Sequence, residues 1–351
     1  MQQLLSSFCL QGTPRRWSRY GEGHINQTWV VETDERRYIL QRLSRAAFAD
    51  IPGLMENVKA VTEFLAAQSD DPRACLHLVP TEEGGCWVRD AQGEYWRIYD
   101  FIEDSLCLQA PETPEDFYQS AVAFGRFQRM LRAFPAETLH ETIPNFHNTP
   151  DRYRKFRAVL AADPLGRAAD VRREIDFFLA READGAALQR RREDGTLPLC
   201  VTHNDTKLNN VMLDARTRRA LCVIDLDTVM PGLAAYDFGD SIRFGASTGA
   251  EDERDLSRIG LDLGLYETFA RGFVQACGGM EERELASLPL GAKLMTLECG
   301  LRFLTDYLDG DRYFAVARPG HNLDRARTQI RLVEDMEKKE TAMNEIVRCC
   351  L

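Results

Sequence analysis

Lysine is missing from the beginning of this 351-residue chain, where the first one is Lys59. The chain also has only six histidines. It contains no GxxxxGK[ST] loop and no GxGxxG that opens a helix after a strand. These absences exclude a P-loop site and a Rossmann dinucleotide site. They also disfavour a histidine-based metal hydrolase centre.

An excess of positive charge is missing as well. Acidic residues outnumber basic ones by 55 to 44, which gives a net charge of −11 and a pI of about 5.2. Nucleic acids and anionic membranes both require clustered positive charge, so neither is expected as a partner. No apolar run approaches the roughly 20 residues that span a bilayer. The start, MQQLLSSFCLQG, lacks the features of a secretory signal. We therefore expect a cytoplasmic protein, as a monomer or small homo-oligomer.

The ten cysteines include no CxxC pair, which disfavours a zinc ribbon or a thioredoxin-like site. Several of them, such as Cys200 and Cys222, lie in apolar runs. Buried free thiols in a reducing compartment are the expected state.

The distribution of apolar residues predicts two unlike regions. In the first hundred residues, the pattern predicts strands at 28–32, 37–43, 76–80, 86–89 and 94–101, with a helix at 54–68. Beyond residue 106 it predicts helices at 115–132, 152–160, 171–191, 264–277, 282–308 and 322–347, around a hairpin of strands at 211–213 and 220–224. The predicted fold is α+β and two-lobed, with a strand-rich lobe at 1–103 and a mainly helical lobe at 104–351.

The residues that carry chemistry lie around that hairpin. His203, Asp205 and Asn210 form the pattern HxDxxxxN, and Asp225 and Asp227 end the second strand as IDLD. Transfer of a phosphoryl group requires a carboxylate to accept the hydroxyl proton and oxygen ligands to hold Mg²⁺. Asp205 is the predicted base, and Asn210 and Asp225 are predicted metal ligands. Asp227 joins them, because alternate residues of an extended chain face the same way.

At these residues the chain resembles the aminoglycoside phosphotransferase and choline kinase family, which carries HxDxxxxN, an ID segment and a YD pair, here Tyr236-Asp237. Longer strings, including GEGHINQTWVV, IPNFHNTPDRY, HNDTKLNNVMLD and YDFGDSIRFG, are similar to N-acetylhexosamine 1-kinases within that family. The resemblance covers nearly the whole chain. It implies a protein-kinase-like fold that uses ATP and Mg²⁺.

The resemblance also implies roles for individual residues. His203 and Asp237 are expected to support the catalytic loop. The segment from Gly21 to Thr28 is expected to cover the phosphates, and the segment from Tyr99 to Ile102 to form the hinge that binds adenine. The expected nucleotide-binding residues are Gly21, Gly23, Asn26, Thr28, Gln41, Tyr99 and Ile102. The expected sugar contacts, besides Asp205, are His24, Phe244, Arg302 and Tyr313.

One position departs from the usual kinase pattern, in which a lysine on the third strand contacts the α- and β-phosphates. Here that position is Gln41, which carries no charge. Glu56 is suited to the helix glutamate that normally pairs with the lysine. Lys59 and Arg42 are the two candidates for the missing cation.

The resulting hypothesis is transfer of the γ-phosphoryl group of ATP to the anomeric hydroxyl of N-acetylglucosamine or N-acetylgalactosamine, giving a sugar 1-phosphate. An alternative keeps the kinase but changes the acceptor to an aminoglycoside, a choline-like amine or another sugar. A third hypothesis is a nucleotide-binding scaffold without catalysis. The intact set of Asp205, Asn210 and Asp225 disfavours this last reading.

Overall fold

The chain changes from strands to helices after Asp100 in the computed structural model, which describes residues 1–21 and 25–350. The strands of the described residues are β1 (Pro14–Arg19), β2 (Gln27–Thr33), β3 (Arg37–Leu43), β4 (Val88–Arg89), β5 (Tyr95–Asp100), β6 (Ser105–Leu106), β7 (Cys200–Thr202), β8 (Val211–Asp214), β9 (Ala220–Val223) and β10 (Met230–Gly232). The α-helices are α1 (Gln2–Leu5), α2 (Ile51–Ala66), α3 (Pro114–Met130), α4 (Thr149–Ala162), α5 (Arg172–Leu179), α6 (Glu182–Gly185), α7 (Ala187–Glu193), α8 (Ala234–Gly245), α9 (Leu263–Cys277), α10 (Glu282–Leu285), α11 (Leu288–Asp309), α12 (His321–Lys338) and α13 (Glu340–Arg348).

The N-terminal lobe is built on an antiparallel sheet with strand order β1-β2-β3-β5-β4. Tyr38 and Leu40 of β3 are buried on its outer face, with α1. Thr28, Gln41 and Arg97 are in register on three neighbouring strands. Because successive side chains of a strand face opposite sides, these three form one row on the inner face.

Helix α2 joins the two lobes. The Asp50 side chain caps its first turn by accepting a hydrogen bond from Gly53 N at 3.0 Å. Leu54, Met55 and Val58 are fully buried, in an apolar cluster that extends from the sheet into the helical lobe. Burial of this kind contributes about 25 cal/mol per Å². The lobes are therefore joined by a continuous core as well as by the connector at 101–104.

Two helix pairs form the framework of the C-terminal lobe, α3 against α9 and α8 against α11. The second pair crosses at Gly239 and Gly291, where an added Cβ would collide with backbone of the opposite helix. Strand β6 pairs with β8 in a small sheet of order β6-β8-β9, and β7 pairs with β10. These short strands hold the loops that follow β7 and β9 next to each other.

Several elements differ from the sequence-based prediction. The expected strand at 76–80 is reduced to one isolated bridge at Leu78, and the expected helix at 171–191 is divided into α5, α6 and α7. Strand β1 was not predicted, because it is an edge strand whose residues are mostly exposed. Helix α8 was missed because its buried face includes Asp237 and Gly239, which weaken the apolar signal. Within the described ranges, no helix is long and apolar enough to cross a membrane.

Candidate active site

The loop after β7 places Asp205 at the surface of the helical lobe. The backbone turns at Asn204, a non-glycine residue with φ of +66°. The Asp205 carboxylate is about one-third exposed and has two partners: Lys207 Nζ lies 2.6 Å from Oδ1, and Asn210 Nδ2 donates to Oδ2 at 2.9 Å. Asn210 Nδ2 also donates to the Asp205 carbonyl at 2.8 Å. The carboxylate predicted to be the base is thus held in a fixed orientation by the chain.

His203 and Asp237 lie beneath this loop, and both are fully buried. The Asp237 carboxylate accepts backbone N–H bonds from His203 and Asn204 at 2.9 Å, and an amide bond from Gln128 at 2.8 Å. His203 Nε2 donates to the Ile224 carbonyl at 2.9 Å. Burial raises the pKa of Asp237, although these contacts favour its charged form. The two residues connect the loop, the start of α8 and the end of β9.

Lys207 was not among the predicted site residues. Its side chain is about one-third exposed and reaches from the loop to Asp205. Burial alone would lower the pKa of Lys207, but the Asp205 carboxylate outweighs it and raises that pKa. Its spacing, two residues after the predicted base, is the sequence signal that could have identified it.

Asp225 faces the cleft between the lobes. Its backbone is left-handed, with φ of +59°. The side chain is partly open to solvent, although many protein atoms lie around it. Loss of surrounding water, together with the charges of Asp227 and Asp205, raises the pKa of Asp225 to about 6. Within residues 1–21 and 25–350, no group forms a hydrogen bond or ion pair with its carboxylate. An oxygen ligand is therefore available at this point.

Asp227 is oriented differently. The chain does not stay extended after β9 but enters a 3₁₀ turn at Leu226–Thr228, so the alternation assumed for Asp225 and Asp227 does not hold. The Asp227 carboxylate is buried, with Oδ1 2.5 Å from Arg97 Nη1 and Oδ2 accepting from Asn26 Nδ2 at 2.5 Å. The contact between Arg97 and Asp227 is an ion pair, because its angles do not fit a hydrogen bond.

The residues fit Mg²⁺ bound together with phosphates. In the described part of the chain, no three His, Cys, Asp or Glu side chains form a complete metal cage. Mg²⁺ in nucleotide sites uses one or two carboxylates, phosphate oxygens and water. The Asn210 amide uses its nitrogen on Asp205, which leaves its oxygen available, and Asp225 supplies a carboxylate. Asn210 and Asp225 would thus be the two protein ligands of the metal.

The predicted nucleotide-binding residues line the opposite side of the cleft. Gly21 has φ of +70°, a conformation that favours glycine, while Gly23 lies outside the described residues. Asn26 is buried, and its Oδ1 accepts from Ser44 N at 3.0 Å. Thr28 Oγ1 accepts from Gln41 Nε2 at 3.2 Å. Asn26 and Thr28 are thus both tied to β3 or to the residue that follows it.

The predicted hinge contains two different environments. The Tyr99 side chain is buried in the core, so only its backbone could contact a nucleotide. The N–H groups of Asp100 and Phe101 donate to His77 and Arg37 carbonyls at 3.0 and 3.2 Å. No described residue accepts from the Ile102 N–H. Ile102 is thus the member of this segment with a backbone donor to offer.

The buried cation next to Gln41 is Arg97, which the sequence analysis missed. Its Nε and Nη2 donate to Gln41 Oε1 at 3.0 and 2.8 Å, and its guanidinium lies 4.9 Å from the Tyr99 ring centre. Burial alone would lower the pKa of Arg97, but the Asp227 carboxylate outweighs it and raises that pKa. An arginine in the apolar strand YWRIYD was the available signal.

The other candidates for this charge lie elsewhere. Lys59 is on the exposed side of α2, 3.9 Å from Glu63. Arg42 is one residue beyond Gln41 on β3 and therefore faces the other side of the sheet. Glu56 is exposed and contacts His140 Nε2 at 2.7 Å, away from the cleft. The expectation that Lys59 or Arg42 supplies the missing cation, with Glu56 as its partner, is wrong for this arrangement.

The predicted sugar contacts are near the ends of α8 and α11. Phe244 on α8 is 45% exposed, and Tyr313 after α11 is 70% exposed, so both rings present free surface. Arg302 Nη2 donates to the Tyr313 hydroxyl at 3.4 Å, and its guanidinium lies over the Phe146 ring. His24 falls outside the described residues.

Charge near Arg302 is largely compensated. Glu298, one turn earlier on α11, is buried, and its oxygens contact His147 Nδ1 at 3.0 Å and the Thr149 hydroxyl at 2.7 Å. Burial would raise the pKa of Glu298, but the His147 contact outweighs it and lowers that pKa. A cavity of about 380 Å³ lies beside this cluster, with His147 in its wall.

The fold and site together define a two-lobed phosphotransferase of the protein-kinase-like class, which confirms the predicted α+β architecture. Residues 16–274 match the phosphotransferase enzyme family, and the chain belongs to that family. A microcompartment-associated aminopropanol kinase has a similar fold, with a TM-score of 0.61 at 16% identity over 98% of this chain and 97% of that chain.

Two further solved structures share the fold. An aminoglycoside phosphotransferase from Alicyclobacillus acidocaldarius gives a TM-score of 0.61 at 15% identity, covering 99% of this chain and 96% of that one. The GDP complex of aminoglycoside 2'-phosphotransferase-IIIa gives 0.55 at 12% identity, covering 91% and 93%. At these identities the likeness establishes the fold alone.

Proposed function

We propose that this phosphotransferase transfers the γ-phosphoryl group of ATP to the anomeric hydroxyl of an N-acetylhexosamine and produces the sugar 1-phosphate. The observation that carries the proposal is the arrangement around Asp205. Its carboxylate is fixed by Asn210 and Lys207, and the carboxylate of Asp225, which has no hydrogen-bond partner among the described residues, lies close enough for the charge of Asp205 to raise its pKa. A base, a cation and two metal ligands meet at one place.

Each side chain has a definite task in the proposed reaction. Asp205 accepts the proton of the C1 hydroxyl while that oxygen forms a bond to the γ-phosphorus. The bond from this phosphorus to the β–γ bridging oxygen breaks, and ADP leaves with the electron pair. Lys207 holds Asp205 before the nucleotide binds and then stabilises charge on the transferred group. Mg²⁺, held by Asn210 and Asp225, would neutralise the phosphate oxygens.

ATP is the proposed donor. Support comes from the inner face of the sheet, where Thr28 and Gln41 are hydrogen-bonded to each other, and from the free backbone donor at Ile102 among the described residues. A protein of similar fold, aminoglycoside 2'-phosphotransferase-IIIa, has been solved as a GDP complex.

The proposed acceptor is a neutral sugar because of the groups around its predicted contacts. Arg302 is cationic, and the nearby carboxylates of Glu298 and Asp240 are paired with His147 and Arg243. A cationic amine would find no uncompensated carboxylate among these described residues, whereas a sugar can stack on Phe244 or Tyr313 and accept from Arg302. The similar strings IPNFHNTPDRY and YDFGDSIRFG favour N-acetylhexosamines among sugars.

A panel of acceptors tests the proposal. ATP consumption is measured with N-acetylglucosamine, N-acetylgalactosamine, glucose, choline and kanamycin, each with Mg²⁺ and with EDTA. We expect turnover with the two acetamido sugars that EDTA abolishes. Turnover only with choline or kanamycin would retain the phosphotransferase and replace the sugar by a cationic acceptor, which is the alternative that the aminopropanol kinase and aminoglycoside phosphotransferase folds make relevant.

A further inference from the structure

Arg97 belongs to a row of polar side chains on the inner face of the N-terminal sheet. Gln41 pairs with Thr28 on one side and with Arg97 on the other. Gln41 Nε2 donates to Thr28 Oγ1, and Gln41 Oε1 accepts two bonds from Arg97. The amide therefore has its donor side on β2 and its acceptor side on β5. In the usual kinase pattern, a lysine at the position of Gln41 carries the positive charge. Here Gln41 is uncharged and instead orients the charged side chain of Arg97.

The donors of Arg97 are almost fully used. Nε and Nη2 bind Gln41, while Nη1 contacts Asp227 and lies 3.6 Å from Met55 Sδ. The residue has no exposed surface. An arginine has five N–H groups in a rigid fork, so it can bind Gln41 and Asp227 together, which a lysine ammonium cannot reproduce in the same geometry.

Asp227 connects this row to the phosphate-covering segment. One carboxylate oxygen is with Arg97, and the other accepts from Asn26 Nδ2. Asn26 in turn accepts from Ser44 N at the end of β3. The chain of contacts runs from β5 of the first lobe, through a residue of the second lobe, to the start of β2. Residues 97, 227 and 26 thus couple both lobes to the segment that meets the phosphates.

Three carboxylates, Asp205, Asp225 and Asp227, lie in this region, and their mutual charges disfavour a further anion. We propose, on the basis of the proposed kinase function, that Arg97 is a positioning residue that replaces the absent strand lysine and that Asp227 is its anchor rather than a direct metal ligand. The ion pair fixes Asn26 and the closure of the lobes for nucleotide binding. Asp225 and Asn210 remain as the metal ligands.

Nucleotide binding tests this without any acceptor. The dissociation constant of ATP is measured calorimetrically in Mg²⁺ for the wild type, Arg97→Met and Arg97→Lys, with thermal unfolding of each variant. We expect both substitutions to weaken binding at least roughly tenfold, because a charged contact is lost or misplaced. The matched control is Arg42→Met, on the other face of the same sheet, which should bind ATP like the wild type.

Moving the charge across the sheet provides a second variant, which answers the objection that Arg97→Met only loosens the fold. Gln41→Lys combined with Arg97→Met puts a cation on the neighbouring strand, directly opposite the original. We expect this double variant to recover most of the ATP affinity that Arg97→Met loses. ATP binding within twofold of wild type in Arg97→Met, or no recovery in the double variant when both are folded, would overturn the role assigned to Arg97.

Mg²⁺ dependence separates an anchor from a ligand. ATP affinity is measured with Mg²⁺ and with EDTA for Asp225→Ala and Asp227→Ala. We expect Asp225→Ala to lose most of the increase in ATP affinity that Mg²⁺ gives the wild type. Asp227→Ala should bind ATP more weakly both with Mg²⁺ and with EDTA, but Mg²⁺ should still increase its affinity. Loss of the gain in Asp227→Ala would make it a direct ligand and overturn the anchor. Absence of ATP binding by the wild type would instead refute the proposed function.

Discussion

At the scale of single residues, several hydrogen bonds and an ion pair fix the orientation of the Asp205 carboxylate and its loop. Asp205 is held by Lys207 and Asn210, and beneath them Asp237 orders two consecutive backbone amides. In the proposed reaction, these contacts orient the Asp205 carboxylate before any substrate arrives. The spacing of the motif predicted Asp205 and Asn210, because their contact is local. It gave no indication of Arg97, because its partner Asp227 is distant in sequence and on another lobe.

Asp205→Asn tests the base directly. The amide keeps the shape of the carboxylate and can still contact Asn210, but it cannot accept a proton from the acceptor hydroxyl. We expect kcat to fall by at least roughly a hundredfold, with little change in ATP affinity. Steady-state kinetics and calorimetry measure the two quantities. Near-normal turnover in the folded variant would remove Asp205 from the base role.

The charged carboxylate of Asp225 is expected to lower the stability of the folded protein at neutral pH. A carboxyl group whose pKa is higher in the folded than in the unfolded protein makes stability decline as pH rises between those values, here from near 3.8 to about 6. Without Mg²⁺ or nucleotide, Asp225→Asn should therefore be more stable than wild type at pH 7.5, on the order of 1 kcal/mol after allowance for the exposed surface. The gain should vanish below pH 4. Urea unfolding across this range measures it.

Asp214→Asn is the opposite control for that measurement. Hydrogen bonds from Thr217 and a contact with Arg73 hold the pKa of Asp214 well below its usual value. Its contribution to stability is present above the unfolded pKa and is lost as pH falls through the folded value. Asp214→Asn should thus be less stable than wild type at pH 7.5. A loss of stability at pH 7.5 in Asp225→Asn as well would contradict the account of its environment.

At the scale of elements, the crossing of α8 and α11 determines how far apart the proposed acceptor contacts on these two helices lie. Asp237 and Phe244 are on α8, while Glu298 and Arg302 are on α11. The helices approach so closely at Gly239 and Gly291 that backbone meets backbone. Apolar periodicity predicted α11 within its longer predicted helix but not α8. Contact between two glycines leaves no mark in a hydrophobic pattern, so this crossing could not be predicted from the sequence.

Gly291→Ala tests the crossing. A methyl group there collides with the Ala235 carbonyl, so the helices must separate. We expect a loss of about 1–3 kcal/mol in stability, as for other overpacked sites, together with a higher KM for the acceptor and an unchanged ATP affinity. The control is Gly264→Ala, at an exposed position in the first turn of α9. Equal stability of the two variants would contradict the close packing.

At the scale of the whole molecule, two lobes share an apolar core, and the proposed metal ligands and most of the proposed nucleotide-binding residues belong to different lobes. The two-lobed order of strands and helices followed from periodicity, since the two patterns separate near residue 100. The polar contacts between the lobes did not, because they run from Arg97 through Asp227 to Asn26. These three residues are far apart in the sequence, and no local sequence pattern indicates that they contact one another.

The position of the phosphate in the product is the most direct test of the proposed transfer to the anomeric oxygen. The protein is incubated with ATP, Mg²⁺ and N-acetylglucosamine, and the product is examined by two-dimensional ¹H–³¹P NMR. A correlation between the new phosphorus signal and the anomeric proton H1, absent with Asp205→Asn, is the predicted result. A correlation with the H6 protons, or no new phosphate ester from either acetamido sugar, would contradict the account.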